Sequence, residues 1–227
     1  MKISILTLFP AMFQGPFDYS IINRAKEKKL VEINLVDIRS FGLGKHKAVD
    51  DKPYGGGVGM VLRVDVLQKA LEHTIDKKLS NKEQKVILLS VAGEIYNQKT
   101  AKQFSNLKHL VIVCGHYEGV DERILKFVDE EISIGNFVLT GGEIPAMVIA
   151  DSVTRLIEGV LKGDATKLES FSNEELLEHP QYTRPRTFGK LNVPQILLSG
   201  DHEKISKWKK DQSIKKTTKL RKNLTKA

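Results

Sequence analysis

The sequence predicts an α/β protein built on a mainly parallel sheet, with a small basic helical lobe at its C-terminal end. Short apolar runs at 2–8, 31–38, 85–90, 109–114 and 131–135 are bounded by turn residues and read as interior strands. Helix candidates fall between and after them at 17–29, 64–79, 97–105 and 143–161, and such alternation is the mark of a parallel sheet with crossover helices. Charge marks the lobe. From Lys204 onward there are ten Lys/Arg against one acid, Asp211, whereas the rest of the chain holds 26 basic and 27 acidic residues. The whole formal charge of +8 therefore sits in the last 24 residues, around the only tryptophan, Trp208.

Each element has a local reason. MKISILTLFP is apolar but too short to span a membrane and has no small-residue cleavage site, so it reads as the first strand of a cytoplasmic protein. Asp65 and Asn97 are the expected N-caps of the second and third helices. In the fourth, Ile144, Val148, Ile149, Val153, Leu156, Ile157 and Val160 recur at helical spacing and supply one buried face. After Gly163 the periodicity stops, and residues 163–195 hold Pro180, Pro185 and Pro194. The expected organisation is a main domain over 1–162, a linker over 163–194 and a basic lobe over 195–227. A single cysteine, Cys114, rules out an intramolecular disulfide.

The most informative stretch runs from Leu110 to Pro145. There the strands 110–114 and 132–135 each lead into a glycine-punctuated polar loop. Parallel sheets bind ligands beyond the carboxyl ends of their strands, so a small-molecule site is expected there. Spacing excludes several chemistries: there is no G-x-G-x-x-G, no G-x-x-x-x-G-K-[ST], no G-x-S-x-G and no C-x-x-C. The six histidines show no H-x-x-x-H pattern and read as surface or hydrogen-bonded structural residues, and no metal site is expected. The basic block fits either a phosphate-contacting surface or a solvated tail.

Five strings together carry a family resemblance: DDKPYGGGVGM (50–60), CGHYEGVDER (114–123), SIGNFVLTGGEIPAM (133–147), HPQYTRP (179–185) and VPQILLSGDH (193–202). In this order, spread over nearly the whole chain, they resemble the bacterial tRNA (guanine-37-N1) methyltransferases of the SPOUT superfamily. That resemblance implies a trefoil knot in the C-terminal half of the main domain, a homodimer with its site at the subunit interface, S-adenosylmethionine as methyl donor, and the anticodon stem-loop of tRNA, rather than DNA or a membrane, as partner. It also tips the basic lobe toward RNA contact. Mg²⁺ enters only as a cation that could assist proton removal.

The resemblance also implies site residues. The cofactor side comprises Leu89 and Ser90; Gly115, Tyr117, Glu118 and Gly119; and Ile134, Gly135, Asn136, Phe137, Val138, Leu139, Gly141, Gly142 and Pro145. Val91-Ala92 stands where the family shows Pro-Gln, and Asn136-Phe137 where it commonly shows Asp-Tyr. The substrate-binding set is Asp50, Tyr54, Gly55, Gly57, Gly59, Ser170 and Trp208; the loop that holds Tyr54, Gly55, Gly57 and Gly59 belongs to the guanine side, and Lys45, His46, Lys47 and Asp50 meet the anticodon stem-loop. Removing the weakly acidic N1 proton of guanine needs a general base, and charge developing on O6 needs a cation. The resemblance places Arg155 as that cation and Glu169, in Leu168-Glu169-Ser170-Phe171, where the family carries an aspartate base. Glu174-Glu175 stands where the family often has a glycine, and Asp50 is the competing carboxylate. Two other functions fit less well: a SPOUT enzyme acting on another RNA position, and a relative that binds RNA without catalysis. A dinucleotide-dependent oxidoreductase lacks its fingerprint.

Overall fold

The computed structural model describes residues 1–163, 166, 169–172 and 176–224, with side chains described as far as Leu220. Leu168, Glu174, Glu175 and the chain end at 225–227, which includes Lys226, lie outside the described residues. The chain divides into two compact units, Met1–Leu161 and Lys162–Ala227.

The first unit contains strands β1 (Lys2–Thr7), β2 (Glu32–Asp37), β3 (Asp50–Asp51), β4 (Val61–Leu62), β5 (Gln84–Ile95), β6 (His109–Cys114) and β7 (Glu130–Ser133). Its helices are α1 (Ser20–Glu27), α2 (Val64–Thr74), α3 (Gln98–Phe104) and α4 (Glu143–Thr154). Five strands form one sheet in the order β2-β1-β6-β5-β7, and every pairing is parallel. The short strands β3 and β4 pair with each other, antiparallel.

Alternation along the strands sends successive side chains to opposite faces. Ile3, Ile5, Ile87, Leu89, Leu110 and Ile112 face α1, α3 and α4, where Ala25, Phe104, Ala146, Ile149 and Val153 meet them. Leu6, Val86, Leu88, Val111 and Val113 face the other way, onto Val66, Leu67, Ala70 and Leu71 of α2. A strand covered on both faces has no solvent side, which is why these segments are continuously apolar. Each fully buried Leu or Ile contributes about 1.5–3 kcal/mol relative to exposure.

Asn97 caps α3 as expected, its side-chain oxygen accepting from Lys99 N at 2.9 Å and Thr100 N at 3.1 Å. Asp65 is not the cap of α2. That position is Arg63, and Asp65 lies in the first turn, where its carboxylate takes both a guanidinium pair from Arg63 and the Val66 N–H. Two helices end earlier than their periodicity suggests. α2 stops at Thr74, and Asp76 N donates instead to Gln84 Oε1 at 2.9 Å. α4 stops at Thr154; Leu156, Ile157 and Val160 donate three residues back, which tightens the chain into turns that end at Gly159, φ +83°. On α4 the residues against the sheet include the small Ala146 and Ala150, while Ile144 and Val148 are 48% and 44% exposed.

A buried polar link holds the amino end of the sheet. His109 Nδ1 is 2.7 Å from Gln84 Oε1 and its Nε2 is 2.9 Å from Ser4 Oγ. Gln84 Oε1 also accepts from Asp76 N, so it is the amide oxygen; Nδ1 therefore donates to it, and Nε2 accepts from Ser4. Burial pushes the His109 pKa below its ordinary value, helped by the charge of Lys2.

In the second unit a hairpin of β8 (Thr187–Phe188) and β9 (Leu191–Asn192) precedes helix α5 (His202–Leu224). The segment at 176–178 docks on α5: Thr217 Oγ1 accepts from Leu177 N at 2.9 Å, and Lys216 Nζ donates to Glu178 O at 3.3 Å. Among the described residues no helix is long and apolar enough to cross a membrane.

Candidate active site

The carboxyl ends of β6, β5 and β7 lie side by side, and their loops enclose a cavity of about 430 Å³. Leu89 and Ser90 line it from β5; Gly115, Tyr117, Glu118 and Gly119 line it from the loop after β6. Ile134, Gly135, Phe137, Val138, Leu139, Gly141, Gly142 and Pro145 line it between β7 and α4. Of the expected cofactor side only Asn136 is outside the lining; it lies in a tight turn closed by Phe137 N donating to Gly135 O at 3.0 Å.

Backbone contacts hold these loops in place. In the β5–β7 register both Leu89 and Glu94 pair with Ile132, so residues 90–93 bulge out at the cavity edge. The bulge closes on Gly93, where a Cβ would run into the backbone of Glu131 and Ile132. Gly142 N donates to Gly115 O at 2.8 Å, and a Cβ on Gly142 would lie 2.7 Å from Cys114 Cα. The loop after β6 turns through Tyr117, φ +59°, and Gly119, φ +117°, with Gly119 N donating to His116 O at 3.1 Å. It is laced to the segment around β4: Glu118 N donates to Met60 O, Leu62 N to Gly119 O and Asp121 N to Leu62 O, at 3.0–3.1 Å. Beyond the turn, Arg123 binds Asp121 and holds its carboxyl below the usual range.

Beneath the cavity lies a buried polar cluster. Glu143, in the first turn of α4, is 2% exposed. Thr7 Oγ1 accepts from Phe9 N at 2.9 Å and donates to Glu143 Oε1 at 2.7 Å. The other carboxylate oxygen is 4.0 Å from Nδ1 of His116, a cavity-lining residue. Burial, reinforced by Glu143, pushes the Cys114 thiol well above its ordinary value, so this cysteine is a poor nucleophile.

The expected catalytic and substrate-binding residues are distributed more widely. The site of Gly59 abuts the Glu118 side chain, since a Cβ there would lie 2.5 Å from Glu118 Cγ. Asp50 sits in β3, paired with Leu62. Tyr54 is 99% exposed on a loop in which Gly55, Gly57 and Gly59 all have positive φ, and none of these four residues lines the cavity. Arg155 is the C-cap of α4 and half-buried, in the first unit. Glu169 and Ser170 belong to the second unit. There the Glu169 carbonyl accepts from Ser172 Oγ at 2.7 Å, and Ser170 Oγ accepts from Glu178 N at 2.9 Å. Trp208 lies on α5 with its ring 6.4 Å from that of Tyr182. Among the described residues no cluster of His, Cys, Asp and Glu is placed to hold a metal ion.

Three features in and beneath the cavity lie beyond sequence reasoning: the bulge at 90–93, the buried His116 nitrogen and the burial of Glu143. Val91 and Ala92 join the lining because of the bulge, which depends on a register no local pattern encodes. His116 departs from the expected surface or hydrogen-bonded histidine: its Nδ1 is buried and has no hydrogen-bond partner. Its place directly after Gly115 in GHYEG was the available signal. Glu143 resembles an ordinary helix-start acid, and only the fold reveals its burial.

A tRNA (guanine-N(1)-)-methyltransferase of Dictyoglomus turgidum is 50% identical over 218 residues, covering 96% of this chain and 86% of that protein. One of Endomicrobium trichonymphae is 49% identical over 233 residues, covering all of both. A third, of Carboxydothermus hydrogenoformans, is 51% identical over 227 residues, covering all of this chain and 88% of that protein. The sequence profile of the family described as "tRNA (Guanine-1)-methyltransferase TrmD" matches residues 1–227. The chain belongs to the TrmD family of tRNA (guanine-1)-methyltransferases.

Proposed function

We propose that this protein transfers a methyl group from S-adenosylmethionine to N1 of the guanosine at position 37 of tRNA, beside the anticodon. The observation that carries the reading is the cavity at the carboxyl ends of three adjacent parallel strands, in a chain that belongs to this family. The relatives' names specify guanine N1 of tRNA, which favours this reaction over methylation at another RNA position.

The cavity suits the donor on two counts. Gly141 and Gly142 stand where a Cβ would collide with His116, Glu143, Cys114 and Gly115, so the loops after β6 and β7 pack closely and bring their backbone to the cavity wall, where a flat adenine and ribose can lie against it. Leu89, Ile134 and Leu139 add apolar contact, while Ser90, Tyr117 and Glu118 place polar groups for the ribose and the amino acid end. When bound, S-adenosylmethionine supplies an activated methyl: the carbon bonds to N1 as the C–S bond breaks, and the electron pair stays on sulfur. Glu169 takes the N1 proton onto its carboxylate, and Arg155 stabilises the negative charge that builds on O6. The extra methylene of glutamate, compared with the family's aspartate, lengthens the reach of this base. Asp50, Tyr54, Gly55, Gly57, Gly59 and Ser170 bind the RNA substrate, the loop from Tyr54 to Gly59 on the guanine side, and Mg²⁺ is an optional aid to proton removal.

The finer architecture belongs to the same proposal. The stretch from β5 to α4 is threaded as a trefoil knot whose loops form the cavity walls. Residues 1–162 form the methyltransferase domain, 163–194 the linker that carries the base, and 195–227 the tRNA-binding lobe, with Trp208 among the lysines. Two copies form a dimer with the site at their interface, a reading supported by exposed Ile144 and Val148 on α4 and by Phe137 and Val138 at the cavity rim. The enzyme works in the cytoplasm, where its RNA substrate is found.

The test is transfer of labelled methyl to an unmodified tRNA transcript carrying G at position 37, beside the same transcript with A there. Incorporation into the G transcript alone is expected. Equal labelling of both would overturn the assigned position.

A further inference from the structure

One buried cluster is not used by this chemistry. Glu143 is sealed at 2% exposure, yet only one of its carboxylate oxygens has a close partner, Thr7 Oγ1 at 2.7 Å. Thr7 is itself committed, since its oxygen accepts the Phe9 N–H and its proton goes to Glu143. The second oxygen faces His116 Nδ1 across 4.0 Å, and that nitrogen is buried without a hydrogen-bond partner. A buried ring nitrogen without a partner thus faces a carboxylate oxygen about 1 Å beyond hydrogen-bond reach. A buried polar atom left unsatisfied costs about 1–3 kcal/mol, so closing the gap is favourable whenever the loops permit it.

The gap between the two groups is the space that a side chain at position 141 would fill. A Cβ there would be 2.5 Å from both Glu143 Oε2 and His116 Nδ1. Gly141 also bridges to His116 in an antiparallel pairing, and Gly142 N donates to Gly115 O at 2.8 Å. The facing groups therefore span the seam between the two loops that form opposite walls of the cavity, and His116 is followed directly by Tyr117 and Glu118 in its lining. The ring is steered from two further sides, by Phe9 at 4.9 Å between centroids and by Tyr117 edge-on at 5.0 Å.

We propose that Glu143 is a positioning residue for methyl-donor binding: its buried carboxylate accepts a hydrogen bond from His116 Nδ1 when the donor is seated, clamping the 116–119 turn against the 135–142 loop. The inference rests on the cavity being the S-adenosylmethionine site. Glu143 touches neither the donor nor guanine; it acts through His116, as an outer carboxylate fixes the tautomer and orientation of a working imidazole. Because Nδ1 must then carry a proton, the neutral ring is held with Nε2 bare.

The test uses the full chain, with S-adenosylmethionine as the titrant in calorimetry and ¹⁵N-histidine spectra of the complex, the His116 signals being identified by their loss in His116→Gln. In Glu143→Gln the amide oxygen keeps the Thr7 bond, so folding is retained, but the amide N–H₂ faces His116 and inverts the donor–acceptor order. The expected result is a switch of the His116 proton from Nδ1 to Nε2 and a dissociation constant about tenfold weaker, as a neutral bond replaces the charge-assisted one. His116→Gln should weaken binding similarly, and the double variant no further, with thermal midpoints within a few degrees of wild type. An unchanged tautomer, or additive losses in the double variant, would overturn the proposal. Absence of S-adenosylmethionine binding by the wild type would instead overturn the reading of the cavity.

Discussion

Replacing Gly142 with alanine would place a methyl group 2.7 Å from Cys114 Cα and 3.0 Å from both Cys114 Cβ and Gly115 N. None of these atoms is the free end of a flexible side chain, so either the end of β6 or the start of α4 must shift. Overpacking against such atoms costs about 1–3 kcal/mol. The same shift stretches the 2.8 Å bond from Gly142 N to Gly115 O, a bond of about 0.5–1.5 kcal/mol. Since both sides of the clash are cavity wall, a loss of about 2 kcal/mol in the bound geometry would weaken S-adenosylmethionine roughly thirtyfold. Calorimetric titration, with a thermal melt to confirm folding, measures this directly. Gly44→Ala is the control: φ there is +65° but no atom lies within 4 Å of the added Cβ, so the chain suffers backbone strain without a change in cofactor affinity. Binding by Gly142→Ala within twofold of wild type would refute the claim that close backbone approach shapes the cavity.

Asn97→Ala removes the α3 cap and should cost about 1 kcal/mol, lowering the thermal midpoint by a few degrees. His109 has a folded pKa below its ordinary value of 6.5, so the unfolded chain binds the proton first. Its contribution is complete above about pH 6.5 and is lost as pH falls through the lowered folded value. Urea midpoints should therefore drop more between pH 7.5 and 5.5 in wild type than in His109→Gln. Replacing Lys207, Lys209 and Lys210 on α5 with glutamine should weaken tRNA binding and reduce the slope of log affinity against log salt by about one for each lysine that meets a phosphate. An unchanged slope would remove α5 from the RNA-binding surface.

The sheet was legible because its strands are buried on both faces. Leu110 to Cys114 has no polar residue to blur the run, and the expected strand at 109–114 matches β6 in its bounds. Asn97 was legible because a cap is a local bond, made within three residues of sequence. Of what failed to show, one case was local and the others were decided at a distance. Asp65 looks like a cap until Arg63 engages it and takes the N-cap position itself. The extension of β5 to Ile95 depends on the partner backbone at Glu131 and Ile132, which nothing near Gly93 in the sequence announces. The cavity's glycines were found through motif strings, whereas the pairing of Glu143 with His116 joins residues 27 positions apart through a seam that only the folded chain creates.

The assignment of Glu169 as the base that frees guanine N1 is tested most directly by single-turnover methyl transfer to the G37 transcript, comparing wild type with Glu169→Gln at saturating S-adenosylmethionine and enzyme. A positioned general base contributes about 10²–10⁴-fold, so the variant should bind both partners within a few-fold of wild type and transfer at least about a hundredfold more slowly. Transfer at the wild-type rate would show that another group removes the proton.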